Sequence, residues 1–195
     1  VGGTPTILVD VGPGSFLRLG QLGVATDKLE TVLLTHLHID HVGDLAGFVK
    51  SRDLFDDKPV NLQIFGPTGA GLYPSTSAFV DRLFGAQGAF AYLPSFRNEL
   101  KLAVEDVPTD LSAGPRIVLE RSGLVVTAVA VDHDDVPALA YRVEHNGHSV
   151  VFSGDLASRQ ARIAELAKAA DVLVYDAAVL DPPGSPANLY ALHTA

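Results

Sequence analysis

Three imidazoles and a carboxylate fall within six consecutive positions, as His36, His38, Asp40 and His41 in the string Thr35-His36-Leu37-His38-Ile39-Asp40-His41. Neutral imidazole and carboxylate are donors that Zn²⁺ accepts, and Fe or Mn tolerates the same set. The string follows Thr31–Thr35, a short continuous apolar run that reads as a strand buried on both faces. Where a strand ends, alternate residues leave on one side. His36 and His38 are therefore expected to converge on one ion, while Asp40 and His41 face a second. An exposed polar loop is the competing reading, and it fits poorly. Val32 to Leu34 before the string, and Val42, Gly43 and Leu45 after it, would bury the flanks of such a loop.

Further groups with metal-binding or proton-transfer chemistry stand at the ends of later apolar runs. His133 follows Val129-Ala130-Val131-Asp132, and Asp155 closes Val150-Val151-Phe152-Ser153-Gly154. Taken alone, a histidine after a strand is more often structural, and a Gly-Asp pair is an ordinary turn or helix cap. Asp176 follows Leu173-Val174-Tyr175, and His193 stands in Leu192-His193-Thr194. Asp132, Asp134 and Asp135 read as solvated or supporting carboxylates. Gly66-Pro67-Thr68-Gly69-Ala70-Gly71 has the glycine density of a phosphate loop but lacks its lysine and Ser/Thr, so it reads as a turn entering a helix.

The elements that must position these groups alternate between strand and helix. Thr6–Val11 is a β-branched run stopped by Gly12-Pro13-Gly14, and Ser15–Gln21 follows as one or two helical turns. Asn61–Phe65 reads as a strand ending at Gly66-Pro67. Thr68–Pro115 has weak periodicity and is expected to form loops and short helices, with a lid over a site as one outcome. Leu124–Val131 is a strand. Leu139–Glu144 and Ser149–Ser153 flank Asn146-Gly147, the strongest short hairpin signal. Ser158–Ala170 reads as a helix with Ile163, Leu166 and Ala170 on one face, and Val172–Tyr175 as the next strand. The pattern is mixed α/β, sheets with helices outside them, in one domain over residues 1–195.

Composition removes several function classes. With 14 Lys+Arg against 23 Asp+Glu the formal charge is −9, so a broad cationic face for nucleic acid is not expected and any such contact is local. There is no cysteine, hence no disulfide scaffold. No apolar run approaches the roughly 20 residues of a membrane span. The reading is a soluble protein, with the cytoplasm slightly favoured over the periplasm or secretion. The sequence has no methionine and opens Val1-Gly2-Gly3, so it reads as incomplete, and only compact spacings are used.

The string His36-X-His38-X-Asp40-His41 resembles the hallmark of the metallo-β-lactamase-fold hydrolase superfamily, in its tRNase Z and arylsulfatase-like branch. Leu8-Val9-Asp10-Val11-Gly12 looks like that family's strand and glycine turn before the motif, and Phe65-Gly66-Pro67 like a later strand end. The resemblance covers nearly the whole chain and implies an αββα sandwich carrying one or two metals. It implies that His36, His38 and His133 hold one ion, that Asp40, His41 and a histidine beyond Ala195 hold the other, and that Asp155 bridges them. Leu139–Val143 is similar to the strand that follows the third histidine in these branches. Asp176 and His193 are similar to the acid and histidine of the tRNase Z type, in which the acid orients a proton-donating histidine. Here Asp stands where Glu is commoner, and a surface histidine or a ligand are the other readings of His193.

Two cations about 3.5 to 4 Å apart would hold a hydroxide, lower its pKa towards 7 and polarise a substrate oxygen. Metal-dependent hydrolysis is therefore the expected reaction, with two zinc ions per chain, Fe or Mn being compatible, and Asp40 orienting the hydroxide. No serine or cysteine nucleophile stands in a recognisable setting. The expected substrate is a small or medium anionic ester, either a sulfate ester or a phosphodiester. Nucleic acid is disfavoured, because only His145-Asn146-Gly147-His148 separates two strands where some tRNase Z members carry a long tRNA-gripping arm, and because of the charge of −9. A tRNase Z-type endoribonuclease, a lactonase and a mononuclear-iron sulfur dioxygenase are the alternatives. A diiron flavoprotein would show Glu in place of His38. A non-catalytic binding module would not keep the whole donor set. A homodimer is compatible with all of this.

Overall fold

β-branched apolar runs near the start of the chain pair in parallel, and the helices between them follow from that, since parallel neighbours need a crossover. The structure, a computed structural model, describes residues 3–55, 59–95, 99–157 and 160–176. The chain divides into two compact units, Val1–Asp106 and Val107–Ala195.

In the first unit, β1 (Ile7–Val9), β2 (Thr31–Leu33), β3 (Val60–Pro67) and β4 (Leu100–Val107) form a sheet in that order. β1 and β2 are parallel with Leu8 opposite Val32, and β2 and β3 are parallel with Val32 opposite Ile64. All three residues of β2 are buried, as the continuous apolar run requires. The helices are α1 (Ser15–Gln21), α2 (Ile39–Val42), α3 (Leu45–Phe55) and α4 (Thr76–Phe84). Phe48 and Val49 of α3 join Val32, Leu62 and Ile64 in one apolar cluster with Val80 of α4. Arg52 of α3 is 4% exposed. Its Nη1 donates to the carbonyls of Thr26 and Leu29, which ties the helix to the chain entering β2 and offsets part of the cost of burying the charge.

In the second unit, β5 (Arg116–Arg121), β6 (Leu124–Val131), β7 (Ala138–His145) and β8 (His148–Phe152) run antiparallel, and β9 (Val172–Val174) lies parallel to β8 after the crossover helix α5 (Ala161–Leu166). Asn146 (φ 51°) and Gly147 (φ 78°) are both left-handed, the conformation that a two-residue hairpin loop needs to match strand twist. Ser122 (φ 47°) and Gly123 (φ 78°) repeat this device between β5 and β6. Val129, Val131, Ala140 and Val151 pack with Ile163 and Leu166 of α5.

α1 has the bounds read from the sequence, and the strands differ from expectation by one or two residues. The segment Thr68–Pro115 differs more. It holds α4 and also β4, whose residues alternate between buried or half-buried and exposed from Leu100 to Asp106. Lys101, Glu105 and Asp106 dilute its apolar signal. The strand lies at the end of the sheet order, where one side tolerates charge. β5 was obscured likewise by Arg116, Glu120 and Arg121. α5 is shorter than Ser158–Ala170, and Ala169 turns left-handed (φ 55°) beyond it, although Ala170 still packs on the same cluster. Among the described residues no helix is long and apolar enough to cross a membrane.

Candidate metal centre

In the first unit β2 delivers the chain into Leu34, Thr35 and His36, all buried. His38 is the N-cap residue of α2, and Asp40 and His41 lie within that helix. The strand end and the short helix therefore gather all four residues. The rings of His36 and His38 lie 4.7 Å apart by centroid, and those of His36 and His41 4.0 Å. His36 Nε2 is 3.1 Å from His38 Nδ1, so two ring nitrogens face one point. Asp40 Oδ2 is 3.7 Å from His41 Nε2, and its side chain is 70% exposed.

Asp10, just past β1, organises these rings. Its backbone is left-handed (φ 56°), a conformation that Asp tolerates better than most residues. Its Oδ1 accepts the Thr35 N–H at 2.8 Å, and its Oδ2 accepts from Thr35 Oγ1 at 2.8 Å and from His41 Nδ1 at 2.9 Å. A carboxylate only accepts, so the Thr35 hydroxyl spends its proton on Asp10 and is an acceptor towards His36 Nδ1, 3.1 Å away. Both His36 and His41 are thus placed to donate through Nδ1, which makes Nε2 the lone-pair nitrogen of each ring in its neutral form. His38 Nε2 lies 3.0 Å from the hydroxyl of Tyr73.

The backbone of the β1–α1 loop docks onto this string. Val11 N–H donates to the His41 carbonyl (2.7 Å), and Asp44 N–H to the Val11 carbonyl (2.8 Å). Asp44 Oδ2 accepts from the N–H groups of Gly14 and Phe16. The approach is so close that a Cβ on Gly12 would collide with the Asp40 carbonyl oxygen, so glycine is required there.

In the second unit His133 follows β6, is 6% exposed, and has Nε2 4.0 Å from Asp155 Oδ2. Gln160 clamps the residue before it, accepting the Asp132 N–H and donating to the Asp132 carbonyl. Asp155 lies past β8, behind Gly154 with φ 60°. Asp176 sits beside this turn. Its Oδ2 accepts the Leu156 N–H at 3.1 Å, and its own N–H donates to Ser153 Oγ at 2.9 Å. His193 lies outside the described residues. Asp134 and Asp135 are exposed, as expected of solvated carboxylates.

Among the described residues the candidate histidines and carboxylates stand at or just past strand ends, as expected from the apolar runs before them. Asp10, Thr35 and Tyr73, the partners of candidate ligands, and Gln160, which holds the backbone of the residue before His133, carry no such signal in the sequence. Asp10 stood in a quoted motif, but its contacts lie 25 and 31 residues away in sequence. The donors fit a divalent transition ion: neutral imidazoles with one nitrogen held by a neighbour and the other turned inward are ligands already fixed in tautomer.

A model of the beta-lactamase superfamily domain matches residues 6–187. The chain belongs to the beta-lactamase superfamily. Similar sequences include a Ribonuclease Z of Mycobacterium avium (strain 104), 34% identical over 185 residues, covering 89% of this chain and 60% of that protein. Similar folds include human tRNase Z, short form, with a TM-score of 0.66 at 20% identity over 88% of this chain and 68% of that one. The metallo-beta-lactamase fold protein YhfI from Bacillus subtilis has a TM-score of 0.60 at 20% identity, over 90% of this chain and 61% of that one. The superfamily is one of metal-dependent hydrolases, the expected metallo-β-lactamase fold is the fold of this chain, and its sequence relatives lie in the tRNase Z branch. The chain spans about 60% of the length of the curated relatives it matches.

Proposed function

We propose that this superfamily member is the metal-binding and catalytic portion of a ribonuclease Z-type hydrolase that cuts a phosphodiester in RNA of the tRNA class. The identity of 34% to a Ribonuclease Z, over a span that includes the string His36–His41, carries this reading. It reverses the order of substrates expected from the sequence, where a sulfate ester or a small phosphodiester stood first and RNA was the alternative. None of the similar proteins described above is a sulfatase. The two grounds for disfavouring RNA were narrow. A charge of −9 speaks against a broad phosphate-neutralising face and not against a local contact, and a short β7–β8 hairpin removes one way of gripping RNA.

In this reading His36, His38 and His133 would hold one ion, and Asp40, His41 and Asp155 would contribute to a second, with Asp155 shared. Zinc suits these donors, and Fe or Mn would accept them. When bound, such ions supply Lewis-acid polarisation of a phosphoryl oxygen and lower the pKa of a water towards about 7. The protein's own part is orientation. Asp10 and Thr35 fix the tautomers of His41 and His36. Asp40, at the start of α2, orients the attacking water. Asp176 holds the turn that carries Asp155, and His193 is the proposed donor to the leaving oxygen.

The test is a panel offered to the zinc-loaded protein: a tRNA precursor, an unstructured RNA, a nitrophenyl phosphodiester, a nitrophenyl sulfate and a lactone. Cleavage of the tRNA precursor at rates well above the other substrates, abolished by a chelator, is the expected result. Turnover of the sulfate or the lactone with no RNA cleavage would overturn the RNA reading while leaving a metal-dependent hydrolase.

A further inference from the structure

We propose that Tyr73 is a positioning residue for His38: its phenolic oxygen accepts the Nε2–H of that imidazole and so commits Nδ1 to the metal. This rests on the reading of His38 as a ligand. The Tyr73 hydroxyl lies 3.0 Å from His38 Nε2, and the two rings meet edge to face with centroids 5.6 Å apart. A phenol can donate or accept, so the contact alone does not place the proton. The ligand reading, combined with the rest of the network, does. Asp10 consumes the Thr35 proton, Thr35 therefore accepts from His36 Nδ1, and His36 Nε2 is left as a lone-pair nitrogen. His38 Nδ1 faces that same nitrogen at 3.1 Å. For both nitrogens to serve one ion, the proton of His38 has to reside on Nε2, and the Tyr73 oxygen is the acceptor placed there.

The glycine-rich stretch after β3 builds the turn that aims the phenol. Ala70 and Tyr73 exchange backbone hydrogen bonds of 3.1 and 2.9 Å across Gly71, which is left-handed at φ 57°. A Cβ on Gly69 would lie 2.5 Å from the Ser75 nitrogen and 2.7 Å from the Pro74 carbonyl carbon, so only glycine lets the turn close. Immediately beyond, Ser75 caps α4 through the Ala78 N–H. Leu72 at the tip is 96% exposed and gives the turn no packing of its own, whereas Tyr73 is half-buried. The stretch Gly66–Gly71 resembles an incomplete phosphate loop, and here it is a rigid mount for a side chain that orders a metal ligand.

The experiment uses zinc alone as the probe. In the zinc-loaded parent, long-range ¹H–¹⁵N correlation spectra should show the His38 proton on Nε2; a proton on Nδ1 would overturn the proposal without any variant. Tyr73→Phe keeps the ring and removes the acceptor. Chelator competition should then show zinc held roughly 10- to 100-fold more weakly, the usual cost of losing a partner behind a ligand. Tyr92→Phe, at an exposed tyrosine, should bind zinc like the parent. Equal affinity in Tyr73→Phe and the parent, together with loss of a zinc equivalent in His38→Ala, would overturn the role of Tyr73 alone. Retention of all zinc by His38→Ala would overturn the ligand reading beneath it.

Discussion

Asp10 Oδ2 lies 2.9 Å from His41 Nδ1, so a residue in left-handed backbone after the first strand sets the tautomer of an imidazole 31 positions later. The same oxygen takes the Thr35 hydroxyl, and through it the state of His36 is set as well. One carboxylate thus prepares two rings.

Asp10→Ala should therefore weaken metal binding by roughly 10- to 100-fold, the range typical of lost partners behind a ligand. Thr35→Val should weaken it less, since His41 keeps its Asp10 contact. Both are read by chelator competition on the purified variants. Full affinity in Asp10→Ala would mean that the rings need no such support.

Two glycines should respond to alanine with opposite signs. At Gly12 the new Cβ meets the Asp40 carbonyl and the His41 Cα, backbone atoms that cannot swing aside, so Gly12→Ala should destabilise by about 1–3 kcal/mol. At Gly47, exposed in α3 with nothing within 4 Å, Gly47→Ala should stabilise by about 0.5–1 kcal/mol through helix propensity. Urea unfolding midpoints of the two variants decide this. Two shifts of the same sign would contradict the local packing described.

The site was legible in the sequence where its chemistry is local. His36, His38, Asp40 and His41 are adjacent in the chain, and a strand end must bring them close whatever the rest does. His133 and Asp155 close apolar strands, where a structural histidine or a turn aspartate is ordinary, so the family resemblance and not their position singles them out as candidate ligands. Asp10 and Tyr73 were not legible, because their roles depend on contacts 25 to 35 residues away, and neither residue type is unusual after a strand or in a glycine-rich turn. The same division holds for the fold. Buried strands such as β2 and β6 announce themselves by apolar, β-branched runs, whereas β4 carries charges on an exposed side and reads as part of a loop segment, and β5, with Arg116, Glu120 and Arg121, gives no strand signal.

Acid should erode the second unit at Asp171, as well as at Asp110, whose carboxyl the Ser112 N–H holds low. The Ser149 N–H, 2.6 Å from Asp171 Oδ2, holds that carboxyl below its ordinary 3.8, with His148 adding a smaller effect in the same direction. The folded state binds this proton less readily than the unfolded one. The contribution is therefore present above pH about 4 and is lost as pH falls through the lowered folded value. Asp171→Asn should flatten the fall in stability between about pH 5 and pH 3, followed by urea unfolding, relative to the parent. An unchanged acid limb would show that this hydrogen bond does not discriminate between the two states.

The most direct measurement is anomalous scattering at the zinc edge from crystals of the zinc-loaded protein. One ion is expected about 2.0–2.2 Å from His36 Nε2, His38 Nδ1 and His133, and a second at similar distance from His41 Nε2 and Asp40, with Asp155 reaching both. Zinc bound through Nδ1 of His36 or Nε2 of His38, or ions seated away from these residues, would contradict this arrangement.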